Sequence, residues 1–258
     1  MISENEYNEY CKLNDIEKLE PFKVDNAVIL AAGKSSRFLP LSNICPKGLC
    51  KIKNEVLIER QIKQLYEAGI QDIIIVVGYK KEMFRYLSSD YNVTLIENPY
   101  FDTQDNIASL ELVAPYLGNT YICSVDNYYR DNIFSLYNYS GHYATVFCQG
   151  ATDEWCVTTD EEGYINHVEI GGSDSEIMMG YAYFDRNFSR EFVNILHTIG
   201  QDSVYRHRVW EYVYMNHLDV LRLRRKLYDR GCILEFDSIE DAIQFDKDFY
   251  KWNRCEEQ

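Results

Sequence analysis

Short runs of continuous apolar residues, separated by segments of helical periodicity, constrain the fold of this chain most. The apolar runs cover residues 27–31 (AVILA), 72–77 (DIIIVV), 93–96 (VTLI) and 121–125 (YICSV). The helical segments cover residues 56–66, 81–87 and 107–117. Continuous apolar strands are typical of a parallel sheet that is buried on both faces. Strands and helices that alternate through short connections predict an α/β fold with a doubly wound, mostly parallel sheet, which binds ligands at the carboxyl ends of its strands.

The second half of the chain has a β-rich pattern. Strands are predicted at residues 144–148, 155–158, 164–170 and 178–184, joined by turns such as Glu162-Gly163 and Gly171-Gly172. Helices are then expected at 188–198 and 203–215, before a last strand at 232–236 and a C-terminal helix. We therefore expect one domain over residues 26–258, with a first half at about 26–140 and a smaller β-rich lid region at about 141–240.

Residues 1–25 form a separate acidic segment with seven carboxylates against three lysines. Apolar residues at Ile2, Leu13, Ile16 and Leu19 predict a helical extension. We interpret this extension as an appendage that docks on another surface.

The composition excludes several classes of function. The chain has 41 Asp and Glu against 26 Lys and Arg, a net charge of −15, which argues against nucleic acid as a partner. No apolar stretch approaches the roughly 20 residues that span a bilayer, and the first ten residues are polar and acidic. We therefore expect a cytoplasmic protein without membrane insertion. The eight cysteines show neither metal-ligand spacing nor a disulfide framework, so free, mostly buried thiols are expected.

The loop after the first apolar run combines small residues with cations. It comprises Leu30, Ala31, Ala32, Gly33, Lys34, Ser35, Ser36 and Arg37. Pro46-Lys47 follows after a short gap. Small residues directly after a buried strand let successive backbone N–H groups converge on a phosphate chain, and the cations neutralise its charge. Residues 33–63 hold seven Lys and Arg against two carboxylates, so this basic segment lies within an acidic chain.

This loop resembles the signature of the sugar-phosphate nucleotidyltransferases, LAAGxGSR followed by PK, with Ser35 in place of the usual Gly. Further segments are similar to the bacterial CTP:phosphocholine cytidylyltransferase subgroup of that family. These segments are residues 58–61 (IERQ), 68–70 (AGI), 74–79 (IIVVGY), 98–99 (NP), 105–110 (DNIASL) and 124–127 (SVDN). The resemblance covers about residues 25–240 and implies a Rossmann-like nucleotidyltransferase sheet whose β-rich half binds the acceptor.

The resemblance implies that an acceptor phosphate attacks the α-phosphorus of a nucleoside triphosphate and releases pyrophosphate. Lys47 is then expected to hold the acceptor phosphate or the α-phosphate, and Arg37 the β- and γ-phosphates. A surface lysine is the alternative for Lys47.

Asp126 ends a predicted strand at the ligand-binding edge of the sheet, where a carboxylate can hold Mg²⁺. Asp237 is expected as a second ligand and Glu235 as a supporting one, since the family has an acidic element there. The alternative for Asp237 is the N-cap of the following helix.

For the base, the backbone of Ala31 and Gly33 and the side chains of Asn106 and Ser109 are the candidates, although Asn106 could equally cap a helix. The acceptor candidates are Glu154, Trp155, Tyr181, Tyr183, Trp210 and Glu211. Aromatic faces with carboxylates suit a quaternary ammonium, which has no hydrogen to donate. Burial in the core is the alternative for each of these aromatic residues.

The leading hypothesis is a Mg²⁺-dependent cytidylyltransferase that joins CTP to phosphocholine, giving CDP-choline and pyrophosphate. The same chemistry on 2-aminoethylphosphonate, phosphoethanolamine or a sugar 1-phosphate stays open, as does a homodimer. A non-catalytic nucleotide-sensing subunit is the alternative from another class, although Arg37, Lys47, Asp126 and Asp237 are all present. The basic run Arg222, Arg224, Arg225, Lys226 and Arg230 could meet phosphate or an acidic partner, or form a solvated face.

Overall fold

The computed structural model of the chain describes residues 2–199 and 202–253. The strands are β1 Asn26–Ala31, β2 Lys51–Ile52, β3 Glu55–Val56, β4 Ile73–Val77, β5 Thr94–Glu97, β6 Thr120–Ser124, β7 Asn127–Tyr129, β8 His142–Thr159, β9 Ile165–Phe184, β10 Arg224–Tyr228 and β11 Ile233–Glu235. The α-helices are α1 Glu4–Leu13, α2 Ile16–Leu19, α3 Leu57–Glu67, α4 Tyr86–Tyr91, α5 Ile107–Val113, α6 Arg186–Ile199, α7 Ser203–Arg206, α8 Trp210–Met215, α9 Ile239–Phe245 and α10 Phe249–Trp252. Short 3₁₀ turns cover Glu20–Phe22, Ser36–Phe38, Leu41–Asn43, Lys47–Leu49, Lys81–Phe84 and Ala114–Tyr116.

The central sheet has the strand order β10-β8-β9-β6-β1-β4-β5. Strand β1 is an inner strand and pairs in parallel with β4 on one side and β6 on the other. Strand β5 is parallel to β4, whereas β9 is antiparallel to both of its neighbours. The predicted doubly wound, mostly parallel sheet is confirmed, with additional antiparallel strands in its second half.

Both faces of the sheet are covered, which explains the continuous apolar runs. Along β1, Val28 belongs to the core cluster that includes α5, α6 and α8, while Ile29 belongs to the cluster that includes α3 and α4. Because neighbouring residues of a strand point to opposite faces, positions 27–31 of β1 all carry apolar side chains.

The segments predicted as four short strands in the second half are in strands, but their division into four is wrong. The structure instead has two long paired strands, β8 and β9, that start in the central sheet and extend as a hairpin. The predicted turn at Glu162-Gly163 is present, with the Gly163 N–H donating to the Asp160 carbonyl. Gly171 is not in a turn: it sits inside β9 with a φ of +83°, in an arm whose pairing contains several register shifts. Here the glycines lie within a continuous, irregular strand. Because glycine is common both in strand irregularities and in turns, the residue type alone does not show whether the strand ends there.

The single helix predicted over residues 203–215 is two helices, α7 and α8.

The N-terminal segment is helical and packs on the rest of the chain. A capping box between Ser3 and Glu6 starts α1, and the Tyr7 ring contacts the rings of Phe22 and Tyr139. Of the apolar residues that predicted the helical extension, Leu13 and Ile16 are 67% and 56% exposed, whereas Leu19 is buried. Tyr7 anchors this segment, because its ring supplies apolar area that the short helix otherwise lacks.

The basic run is largely ion-paired. Arg222 pairs with Asp160 at 3.0 Å, Arg224 with Glu4 at 2.6 Å, and Arg225 with Glu176. These pairs agree with a solvated face. The cysteines in the described part of the chain are free, Cys11 being exposed, and Cys255 lies outside that part. None of the helices in the described residues has the length and apolar content that a membrane crossing requires.

Candidate active site

A cavity of about 850 Å³ opens at the carboxyl ends of β1 and β6. All eight residues predicted for the phosphate loop, Leu30 to Arg37, line it. The segment 124–127 from the end of β6 forms the adjacent wall. Parallel neighbours end at the same edge of a sheet, so the parallel pairing of β1 and β6 is what brings the loop and Asp126 together.

Ser35 explains why a glycine is usual at its position. Its backbone is left-handed, with a φ of 54° and a ψ of 44°, directly before the turn Ser36–Phe38 that carries Arg37. Glycine adopts this conformation without steric cost, whereas an L side chain does so with strain. The loop therefore has its left-handed turn at Ser35, with the backbone strain that a serine has in this conformation.

Three ion pairs join Lys47 and Arg37 to carboxylates. The Lys47 Nζ lies 2.8 Å from Asp126 Oδ2 and 3.9 Å from Asp237 Oδ1, and Lys47 is only 8% exposed. Arg37 donates two hydrogen bonds to Asp237, at 3.0 and 2.8 Å. A Cβ added at Gly48 would meet Val125 at 2.3 Å, so the Lys47 turn packs directly against the residue before Asp126. Lys47 is thus a buried, fixed cation and not the surface lysine of the alternative.

Asp126, Glu235 and Asp237 form a carboxylate cluster whose ligand atoms lie within 4.8 Å of one another. Strand β11 pairs with β7 so that Glu235 lies opposite Asn127, and the Phe236 N–H donates to the Asp126 carbonyl. Ser238, and not Asp237, is the N-cap of α9, so the helix-cap alternative for Asp237 is wrong. The cluster is built by two strand ends that meet beside the phosphate loop.

The electrostatics of this cluster suit a divalent cation. Burial and the charges of Asp126 and Asp237 raise the pKa of Glu235 well above its usual range. Burial also acts to raise the pKa of Asp126, but the Lys47 ammonium outweighs it and the net shift is downward. Asp126 Oδ1 is buried and has no hydrogen-bond partner among the described residues. Clustered carboxylate oxygens with an unpaired lone pair are the hard donors that Mg²⁺ prefers.

The two side chains proposed to contact the base line the cavity, but both are already engaged. Ser109 is buried and its Oγ accepts a hydrogen bond from Asn98 Nδ2 at 3.0 Å. Asn106 Oδ1 accepts the Trp210 backbone N–H at 2.8 Å. Asn106 is the N-cap residue of α5, as the helix-cap alternative has it, but its side chain makes no capping bond to that helix.

A second wall of the cavity carries aromatic rings and carboxylates. Glu154, Trp155, Trp210 and Glu211 all line it. The Tyr143 ring stacks on Trp210 at 5.7 Å between centroids, and its hydroxyl donates to Glu211 Oε1 at 3.2 Å. Burial raises the pKa of Glu211 to about 7, and burial with the nearby Asp237 charge raises that of Glu154.

Comparison with known proteins places this geometry in a family. The MobA-like NTP transferase domain matches residues 27–129, the part of the chain that holds the phosphate loop, Lys47 and Asp126. A choline-phosphate cytidylyltransferase of Streptococcus pneumoniae is 30% identical over 83% of this chain and 94% of its own. A 2-aminoethylphosphonate cytidylyltransferase of Lancefieldella rimae is 32% identical over 86% of this chain and 92% of its own.

A solved structure of the S. pneumoniae CTP:phosphocholine cytidylyltransferase superposes on this chain with a TM-score of 0.84. It is 30% identical and covers 87% of this chain and 98% of its own. This chain belongs to the nucleotidyltransferases, in their cytidylyltransferase group. The central sheet of this cytidylyltransferase is accordingly the Rossmann-like nucleotidyltransferase sheet that the sequence predicts.

Two residues predicted for the acceptor site of the cytidylyltransferase lie elsewhere. Tyr181 and Tyr183 are fully buried in β9 and pack on Tyr121 on the sheet face opposite to Trp210. They do not line the cavity. The residues of β9 that line it are Met178, Met179 and Gly180. Their assignment to the acceptor pocket is wrong: alternation puts the two rings of Tyr181 and Tyr183 on one face, and that face packs on Tyr121, Tyr129 and Phe134.

Sequence reasoning missed other residues of the cavity. Tyr143, Met178 and His207 line it alongside the predicted residues. Tyr143 falls at the start of a β-rich segment, where its spacing to Trp210 carries no local signal. His207 lies in the break between α7 and α8, which the single predicted helix concealed.

Proposed function

We propose that this cytidylyltransferase transfers CMP from CTP to phosphocholine in the presence of Mg²⁺, giving CDP-choline and pyrophosphate. One observation carries the proposal: two paired cations and three carboxylates face the same cavity as a wall of Trp155, Trp210 and Glu211. The first group suits a triphosphate, and the second suits a cationic head group. A single cavity therefore offers both substrates complementary surfaces.

The phosphates of CTP are assigned to the loop of residues 30–37 and to the two cations. Lys47 is poised where an acceptor phosphate and the α-phosphate would meet, because it is fixed against Asp126 at the floor of the cavity. Arg37 is more exposed and lies farther out, which suits the β- and γ-phosphates. Charge neutralisation by fixed cations lowers the cost of bringing two phosphates together.

The metal is assigned to Asp126 and Asp237, with Glu235 as a supporting ligand. When bound, Mg²⁺ supplies positive charge to phosphate oxygens and favours the loss of pyrophosphate. Lys47 and Arg37, which pair with these carboxylates, lie beside the residues that would hold the metal and would contact the phosphates there.

The reaction needs no covalent intermediate on the protein. An oxygen of the acceptor phosphate forms a bond to the α-phosphorus, and the bond from that phosphorus to the bridging oxygen of the β-phosphate breaks. Pyrophosphate takes the electron pair. The protein supplies positioning and charge, which are sufficient for phosphoryl-type transfers.

The head group of phosphocholine is assigned to the wall of Trp155, Trp210 and Glu211. A trimethylammonium group offers no N–H, so it is held by aromatic faces and by net negative charge. The Tyr143–Trp210 stack fixes one aromatic face, and Glu211 lies at its edge.

A second candidate acceptor is 2-aminoethylphosphonate. Two observations favour it: the L. rimae relative, named for that substrate, is 32% identical, and two carboxylates, Glu154 and Glu211, line the same wall. A primary ammonium has three N–H donors and gains more from carboxylates than from aromatic faces.

Competition between the two acceptors tests the proposal. With CTP and Mg²⁺, equal concentrations of phosphocholine and 2-aminoethylphosphonate should yield mainly CDP-choline, measured by ³¹P NMR of the products. A product mixture dominated by the phosphonate would move the assignment to the second acceptor. If neither cytidylyl product forms, both acceptor assignments are rejected.

A further inference from the structure

Asn106 joins the two walls of the cavity through its side chain. Its Oδ1 accepts the backbone N–H of Trp210 at 2.8 Å, between residues 104 positions apart in the chain. Its side chain also lies beside the Glu211 carboxyl and lowers the pKa of that group, against the larger effect of burial.

Helix α8 depends on this contact at its first turn. The first N–H groups of a helix have no partner within the helix, and a side chain at the N-cap usually satisfies one of them. The N-cap of α8 is Val209, which provides no such bond. Asn106 satisfies the Trp210 N–H instead, so a residue of the nucleotide half caps the helix that carries Trp210 and Glu211.

Asn106 is itself held in place from several sides. Its backbone N–H donates to Asp105 Oδ1 at 2.8 Å, and its carbonyl accepts the Ser109 N–H at 2.9 Å. The Asp105 N–H donates to the Arg206 carbonyl at 3.2 Å, which ties the same loop to α7. Ile107 and Ala108 follow directly and are buried in the core. The capping side chain therefore projects from a rigid base.

We propose that Asn106 is a positioning residue of the acceptor site, which holds α8 so that Trp210 and Glu211 face the cavity. This assignment rests on the proposed function and replaces the expectation that Asn106 recognises the base. The oxygen of its carboxamide accepts the Trp210 N–H, and the carboxamide lies beside the Glu211 carboxyl. The contact also makes the acceptor wall dependent on the loop that closes the nucleotide half.

Steady-state kinetics of Asn106→Ala test the assignment. The KM for phosphocholine should rise about tenfold, since the hydrogen bond that holds the first turn of α8 is lost and the buried Trp210 N–H is left without its acceptor. The KM for CTP should stay within about twofold of the wild type, because no base contact is removed. The control is Asn194→Ala on the exposed side of α6, which should leave both constants unchanged. If 2-aminoethylphosphonate proves to be the acceptor, its KM is measured instead.

Two results would overturn the proposal. A raised KM for CTP with an unchanged KM for the acceptor would return Asn106 to the base site. Unchanged constants for both substrates would show that the contact does not position the wall. If Asn106→Ala does not fold, Asn106→Asp is measured in its place, and it should raise only the acceptor KM because it places a carboxylate beside Glu211.

Amide hydrogen exchange separates this proposal from the proposed function, since it needs no turnover. The peptide that contains residues 207–215 should exchange at least about tenfold faster in Asn106→Ala than in the wild type. Asn106→Asp retains an oxygen for the Trp210 N–H and should restore the slow exchange. Equal exchange in wild type and Asn106→Ala would overturn the positioning role, even if the protein transfers CMP to neither acceptor tested.

Discussion

Lys47 is the residue on which the charges of the site converge. Its ammonium lies 2.8 Å from Asp126 and 3.9 Å from Asp237, and it is almost fully buried. A buried cation with two carboxylate neighbours cannot turn away to solvent, so it acts at one place. The geometry therefore favours a fixed clamp for phosphate over general attraction of nucleotides.

Replacing Lys47 should remove turnover without removing the fold. In Lys47→Ala, kcat/KM should fall by about 10²-fold or more, the usual effect of deleting one preorganised charge donor in an active site. Lys51→Ala, an exposed lysine four residues away, is the matched control and should retain activity. The measurement is pyrophosphate release, with circular dichroism to check folding. A fully active Lys47→Ala would contradict the clamp.

Ser35 gives a prediction about the phosphate loop. Because its φ is 54°, Ser35→Gly should leave turnover intact, whereas Ser35→Val should lower the free energy of unfolding by about 1–2 kcal/mol relative to Ser35→Gly. Urea unfolding of the two variants measures this difference. Equal stabilities would mean that the loop readily adopts another conformation.

Glu211 gives a prediction about pH. Burial raises its pKa to about 7, so the carboxyl is largely neutral below that pH and charged above it. A cationic acceptor should therefore bind more tightly as the pH rises from about 6 to 8, seen as a falling KM for phosphocholine. The phosphate of the acceptor also titrates, so the comparison is with Glu211→Gln, in which this part of the dependence should disappear. Identical pH profiles would remove Glu211 from the acceptor site.

Among the elements, the N-terminal helices contribute to stability. Helix α1 contacts Phe22, Tyr139 and Arg224, none of which lines the cavity. Deletion of residues 1–14 should lower the free energy of unfolding by about 3 kcal/mol, from the lost burial of Tyr7 and its aromatic pairs. The KM for CTP should not change. A thermal melt and a CTP titration measure the two effects, and an unchanged melting temperature would contradict this role.

Sequence patterns correctly predicted the elements that local residue types determine. The apolar run of β1 and the small residues that follow it place the phosphate loop at a sheet edge, and the structure has them there. Tyr181 and Tyr183 could not be assigned a face, because both faces of this sheet are buried and hydrophobicity is the same on each. Gly171 and Gly172 could not be interpreted correctly, since a bulge and a turn require the same residues.

At the scale of the whole molecule, tertiary contacts bring together site residues that are far apart in the chain and that local sequence patterns do not connect. Asp126 and Asp237 are 111 positions apart, and their meeting depends on the pairing of β7 with β11. The resemblance to a known family predicted that Asp126 and Asp237 lie together. No sequence motif predicted that Tyr143 stacks on Trp210. The acidic chain with a basic segment at residues 33–63 is consistent with a site that takes a triphosphate together with Mg²⁺.

The most direct test of the account is pyrophosphate release measured with each of the four nucleoside triphosphates and several acceptors, with and without Mg²⁺. The account predicts release with CTP and phosphocholine only when Mg²⁺ is present, and its loss in Asp126→Asn but not in Asp131→Asn, an exposed control. No release with any pair, together with tight CTP binding, would contradict it and indicate a nucleotide-sensing subunit.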